Sequence, residues 1–231
     1  MKLIGIIAKW LFIVCLPVLL LAATIGLGAN SVWLNKYAAD KYGVSQALAN
    51  AGVEMTDAEL EQVYAGLVSY YNSSDEYVNF TVTRDGKPIS LLTAEEVFHF
   101  KDVKGLIWLD YWILLGTLIY ALGYAGLILF WRKDRRELAR GLLWGSGLTL
   151  GLILALVLLD ALFGFSRVFY DFHLLFFTND FWAAGGNMVL LFPEGYFIDA
   201  ATFGALAMAG AAVVLGGASA VYLRMTKAQT T

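Results

Sequence analysis

The chain has a single cysteine, Cys15, and only two histidines, His99 and His173, in 231 residues. One cysteine excludes a disulfide framework. Cys15 also lies inside an apolar run behind Val14, where a lipid-modification signal would need a small residue, so it reads as a packing residue. Charge is scarce as well: 15% of residues are charged and 59% hydrophobic, too little charge to cover a water-soluble domain of this size. No serine sits in a Gly-x-Ser-x-Gly elbow, and no His-x-x-x-His or paired-cysteine spacing is present, which removes the nucleophile-elbow hydrolases and a ready-made zinc site. There are no internal repeats and no low-complexity segment.

What the chain does have is long apolar runs. Four of them, Leu3 to Ala29, Leu106 to Trp131, Leu142 to Phe165 and Ile198 to Leu223, exceed the roughly 20 residues that cross about 30 Å of hydrocarbon at 1.5 Å per residue. The first is longer than a signal-peptide core and no clear Ala-x-Ala site follows it, so a retained helix is expected. Lys9 beside Trp10 suits an interfacial anchor. Basic residues fall at the N-terminus (Lys2, Lys9), between the second and third runs (Arg132, Lys133, Arg135, Arg136, Arg140) and at the C-terminus (Arg224, Lys227). The positive-inside rule then puts both termini in the cytoplasm and residues 30–105 and 166–197 on the other side. Since topology accounts for that basic cluster, nothing is left to bind nucleic acid.

The segment 30–105 is expected to be a small cap. Thr56 with Glu59 has the form of a capping box, followed by Leu60, Val63, Tyr64 and Leu67 at helical spacing. Tyr77 to Thr83 and Pro88 to Leu92, separated by Arg84-Asp85-Gly86-Lys87, read as a hairpin. The expected architecture is an all-α membrane protein: one membrane domain over 1–231 with four transmembrane helices, a small extracytoplasmic α+β cap, and an interfacial aromatic segment over 166–197.

Chemistry gathers where the cap re-enters the membrane. Thr93 to Glu96 forms a second capping box, and a helix begun there runs toward the second span, with a possible break at Gly105. On it His99, Val103, Leu106 and Asp110 share a face, and Asp102 lies one turn from His99, where a carboxylate can fix an imidazole tautomer. Segment 166–197 carries Phe169, Tyr170, Phe172, Phe176, Phe177, Phe181 and Trp182 around His173. If it is helical, His173, Phe177 and Asp180 align. Asp110, Asp160 and Asp199 fall near the outer ends of the second, third and fourth runs, and ionisable groups there are costly enough to suggest a site. Arg167 and Lys104 suit either an oxyanion partner or a snorkelling anchor, the anchor being the simpler reading.

The patterns Glu95-Glu96-x-x-His99-x-x-Asp102-Val103-Lys104, Phe172-His173-x-x-Phe176-Phe177-x-x-Asp180-x-Trp182 and Phe192-Pro193-Glu194, together with the four-run layout, resemble the lipoprotein intramolecular transacylase family of bacterial membrane proteins. The resemblance covers nearly the whole chain and departs at Phe100 and at Ala183 to Asn187. It implies that His99 and His173 are the catalytic pair; Asp102, Asp180, Asp110, Asp160, Arg167 and Lys104, singled out above by position and charge, are the supporting candidates. The implied substrate is a diacylated lipoprotein in the phospholipid bilayer. One acyl chain would pass from its glycerol to the amino group of its N-terminal cysteine, with no cofactor. Two histidines with reference pKa of about 6.5 suit the proton transfers of such a reaction. Competing readings are a zinc site built from both histidines with Asp102 or Asp180, a non-catalytic lipid-binding or assembly module, and a transporter. The last is disfavoured because paired halves with Gly/Pro-broken helices are absent.

Overall fold

The structure, a computed structural model, describes residues 2–84 and 87–228. Its elements in chain order are α1 (Lys2–Ala29), α2 (Val32–Tyr42), α3 (Val44–Asn50), α4 (Asp57–Tyr71), β1 (Thr81–Arg84), β2 (Lys87–Ser90), α5 (Ala94–Gly126), α6 (Arg135–Phe163), α7 (Phe165–Phe176), α8 (Met188–Leu191) and α9 (Glu194–Ala228). A π-helical turn, Leu127–Trp131, continues α5, and a single 3₁₀ turn covers Phe181–Ala183. Among the described residues four helices are long and apolar enough to cross a membrane, namely those over Leu3–Ala29, Ala94–Trp131, Arg135–Phe163 and Glu194–Lys227. The protein is thus an all-α membrane protein with a two-stranded sheet. The chain divides into two compact units.

The first unit comprises 2–26, 109–162 and 203–228. Here α1 and α6 pack through glycine. A Cβ on Gly145 would lie 2.8 Å from Leu16 Cδ2 and 3.1 Å from the Ile13 carbonyl, and one on Gly141 would lie 3.0 Å from the Phe12 ring. This Gly141-x-x-x-Gly145 spacing lets the helix surfaces approach closely, as apolar helices in lipid require when no hydrophobic force drives them together. Phe12 stacks on Tyr124 at 4.6 Å, and the Tyr120 hydroxyl donates to Ala8 O at 2.7 Å. Cys15 is buried and donates to Thr117 O, in keeping with a packing role. At the end of α5, Glu137 binds both Arg132 and the Tyr124 hydroxyl.

The second unit comprises 27–108 and 163–202. The expected capping box at Thr56–Glu59 is present in full and begins α4, which buries Leu60, Val63, Tyr64 and Leu67. The hairpin also forms, with Thr81 opposite Ser90 and Val82 opposite Ile89, but its strands are shorter than the pattern suggested; its Asp85-Gly86 turn lies outside the described residues. Two expectations, at Gly105 and at the end of α6, need correction, and two helices go beyond what the sequence suggested. Residues 32–50 form α2 and α3 with no apolar periodicity to signal them. They are joined at Gly43, whose φ of +63° suits glycine and ends one helix as the next begins. Gly105 does not interrupt α5, because one glycine costs a helix interior only about 1 kcal/mol. Finally, α6 stops at Phe163 rather than 165, since Gly164 takes a φ of +81° and turns the chain into α7.

Replacing Gly145 with leucine should loosen α1 from α6 by on the order of 1–3 kcal/mol, because the backbone carbonyl of Ile13 cannot move aside as a side chain would. Thermal unfolding in detergent should show a midpoint several degrees lower, and an unchanged midpoint would mean that the helices do not meet at this glycine.

Candidate active site

The second unit brings the two histidines together. His99 sits on the second turn of α5 and His173 near the end of α7, 74 residues later; their ring planes are inclined by 30°, with centroids 6.1 Å apart. Each is only 7% exposed. Aromatic rings wall them in: Phe177 lies 4.9 Å from His99 and 5.3 Å from His173, Trp182 packs 4.8 Å from His173, and Phe169 meets it edge-on at 4.4 Å.

The surroundings treat the two rings differently. His173 Nδ1 lies 2.7 Å from the Phe169 carbonyl. A carbonyl can only accept, so Nδ1 carries the proton and Nε2 is left with the lone pair. Among the described residues, buried His99 Nδ1 has no hydrogen-bond partner. His99 precedes the apolar stretch of α5 that begins at Leu106, and burial pulls its pKa down to about 4. The neighbouring His173 adds to this and Asp102 opposes it weakly. His99 is therefore neutral across the physiological range.

The supporting candidates scatter. Asp102 accepts a hydrogen bond from Asn179 Nδ2 at 2.8 Å, and among the described residues no hydrogen bond joins it to His99. Asp180 is not aligned with His173 on a helix, because α7 ends at Phe176 and Phe177 is extended; Asp180 instead precedes the 3₁₀ turn. The Thr178-Asn179-Asp180 sequence explains the stop: Asn179 Oδ1 accepts from the Phe181 N–H, the local side-chain bond that competes with helix. Arg167 pairs with Asp171 one turn on, and Lys104 donates to the Asp75 carbonyl while covering the Tyr70 ring. Asp110 and Asp160 belong to the first unit, where Asp110 is buried beside Gly26 and Asp160 is exposed. Asp199 is held by Lys41 at 2.8 Å and by the Tyr42 hydroxyl. Among the described residues no group of three His, Cys, Asp or Glu side chains is placed to share a metal ion.

The sequence placed Phe177, Trp182 and Glu96 within the two histidine motifs but gave none of them a part in the site, Glu96 serving only as a helix cap. Glu96 does cap, accepting from the Thr93 N–H, but it is also wholly buried and accepts from the Met188 N–H. Its position three residues before a histidine was the available signal.

Four helices long and apolar enough to cross a membrane define the class, an integral membrane protein, and its second unit holds a buried histidine pair set in aromatic rings. The model of the family described as lipoprotein intramolecular transacylase Lit matches residues 10–197. The chain belongs to this family, and it is an acyltransferase acting on lipoproteins. An in meso structure of the membrane-integral Lit from Bacillus cereus has a TM-score of 0.79 to it at 22% identity, over 99% of this chain and 100% of that one. Two variants of the same protein, with one histidine replaced by arginine or by alanine, each have a TM-score of 0.75 at 22% identity. The matches cover 100% and 99% of this chain and 96% and 97% of theirs. At that identity the likeness establishes the fold. No curated protein matches.

Burial of neutral His99 has a consequence for stability. Its folded pKa lies below the unfolded value of about 6.5, so the unfolded chain binds more protons as the medium is acidified. The contribution is present in full above pH 6.5 and is lost progressively toward pH 4. The thermal midpoint should be flat above pH 7 and decline between pH 6.5 and 5, before most carboxylates titrate. In His99→Gln that slope should flatten.

Proposed function

We propose that the protein moves one acyl chain from the glycerol of a diacylated lipoprotein to the amino group of its N-terminal cysteine, with His99 and His173 as the acid–base pair. The observation that carries this reading is the juxtaposition of the only two histidines, buried and 6.1 Å apart. The amine nitrogen attacks the ester carbonyl, the bond between the acyl carbon and the glycerol oxygen breaks, one N–H proton leaves the amine, and the glycerol oxygen gains a proton. The products are an amide and a free hydroxyl, so the atoms balance without a cofactor or water.

His173 is suited to be the base. Its Nε2 holds the lone pair, and the Phe169 carbonyl on Nδ1 both fixes the tautomer and stabilises the imidazolium that forms. His99, kept neutral by burial, suits the second transfer, because two cationic rings at this separation would repel. Donor and acceptor belong to one substrate molecule, so orientation supplies much of the rate. Cys15 is buried in α1 and engaged with the Thr117 carbonyl, which favours direct transfer over an acyl-cysteine.

His99→Ala and His173→Ala should each remove activity, about as completely as the double variant, since the residues act as a unit. Mass spectrometry of the N-terminal lipopeptide from a lipoprotein co-expressed with each variant reads the position of the acyl chain. Wild-type transfer by either variant would end the two-histidine reading.

We place both termini in the cytoplasm and the histidine pair on the opposite side of a bacterial cell membrane, on the strength of Arg132, Lys133, Arg135, Arg136 and Arg140 between the second and third spans. A fluorescent reporter that matures only in the cytoplasm, fused after Thr231, should light up. A reporter that functions only outside the cytoplasm should be silent there, and the reverse pattern would invert the topology.

A further inference from the structure

Three residues before and three residues after His99, α5 carries a carboxylate, and each accepts a hydrogen bond from the same stretch of chain. At one end Asn179 Nδ2 donates to Asp102 Oδ2 at 2.8 Å. At the other the Met188 N–H donates to Glu96 Oε1 at 2.5 Å, while Glu96 Oε2 takes the Thr93 N–H at 2.8 Å. Asn187 adds a bond to the Leu91 carbonyl at 2.7 Å. The fit at Glu96 is close: a Cβ on Gly186 would fall 2.5 Å from Glu96 Oε1 and 2.7 Å from Oε2, so a larger residue there would have to displace the carboxylate from its hydrogen bonds. The Ala183 to Asn187 stretch, unusual as sequence, has here a steric reason for its glycine.

Between the two attachment points the segment supplies the rings that touch both histidine-bearing helices. Phe181 packs on Phe98 at 5.8 Å, and Trp182 packs on His173 at 4.8 Å and on Tyr170 at 5.5 Å. A helical rise of about 1.5 Å per residue separates Glu96 and Asp102 by roughly 9 Å along α5, with His99 midway. An apolar side chain in place of Glu96 would leave the buried Met188 N–H without its acceptor, so this carboxylate ties the start of α8 to α5. Of its two backbone bonds, the local one to Thr93 caps α5 and the one to Met188 specifies where the segment lies.

We propose that Glu96 and Asp102 are positioning residues for the acyl transfer: a two-point clamp that holds residues 179–188 against α5 and so fixes Trp182 on His173 relative to His99. The proposal rests on the reading of His99 and His173 as the catalytic pair. It gives Asp102 a role through Asn179 rather than through the imidazole of His99. Neither carboxylate touches the reacting atoms, and the clamp acts on rate by holding the two rings in register.

The test uses the full chain in detergent, carried on an affinity tag without histidine, so that ¹⁵N-histidine labelling reports only His99 and His173. Asp102→Ala, Asn179→Ala, their double variant and Glu96→Gln are assayed for kcat and KM on a synthetic diacylated lipopeptide, normalised to folded protein by thermal unfolding. Asp102→Ala and Asn179→Ala should each lower kcat about tenfold with KM changed less than about twofold, and the double should be no worse than the worse single. Asn179→Ala should also shift the ring resonances of His173, to which among the described residues no hydrogen bond joins Asn179, a change that mere loss of folded protein would not produce. Glu96→Gln should lower kcat and move both rings; if it does not fold, the Asp102–Asn179 cycle decides alone. The clamp is overturned if both single variants keep kcat within about twofold of wild type, if their losses multiply in the double, or if the ring resonances stay fixed. Fully active clamp variants beside inactive histidine variants would remove the clamp and leave the catalytic pair, whereas active histidine variants would remove the pair itself.

Discussion

A polar group taken out of water must find its partner within the protein, and near a bilayer that demand reaches most of the chain. It makes the spans helical, because only a helix satisfies every backbone group within one segment. It also governs the second unit, where buried donors and acceptors are matched individually: the Tyr64 hydroxyl to the Leu191 carbonyl, the Trp108 indole to the Tyr71 carbonyl, and Glu96 to two backbone N–H groups. The atoms that break the rule among the described residues are few. One is His99 Nδ1, in the histidine pair, and another is Asp110 Oδ2, beside Gly26 in the first unit.

The membrane architecture was legible because spanning a bilayer leaves a coarse mark, twenty or more apolar residues in succession. The α4 cap and the hairpin were legible for the opposite reason, that local chemistry decides them: Thr56 and Glu59 satisfy each other across one turn, and β-branched residues flank a turn. Helices α2 and α3 escaped notice because what they bury, Leu34, Ala38, Val44 and Leu48, is sparse and is interrupted by Gly43. The alignment of Asp180 with His173 failed at Asn179, whose amide oxygen takes the Phe181 N–H and ends the helical path. Periodicity assumes that a segment remains helical, and a single local hydrogen bond overrides it.

The histidines stood out because the chain spends so few of them, and the family pattern joined them across 74 residues. Which side chains serve them was not readable from spacing. A carboxylate one turn from His99 suggested a direct hydrogen bond, yet Asp102 is taken by Asn179, a residue 77 positions away. Gly186 and Glu96 are likewise distant in sequence, and only the folded chain shows that one leaves room for the other. Long-range steric fits of this sort leave no local periodicity to detect.

The bond between His173 Nδ1 and the Phe169 carbonyl constrains traffic through the ring. Because that nitrogen is engaged with an acceptor that has no proton to exchange, a proton arriving at Nε2 has to depart from Nε2; the imidazole is a cul-de-sac rather than a corridor. A single such residue can serve two distant oxygens and nitrogens only if the substrate swings between them or if a second carrier stands alongside. A second imidazole ring stacked a few ångströms away supplies that second carrier, which gives a physical reason for a chain so sparing of histidine to place both of its own in one place.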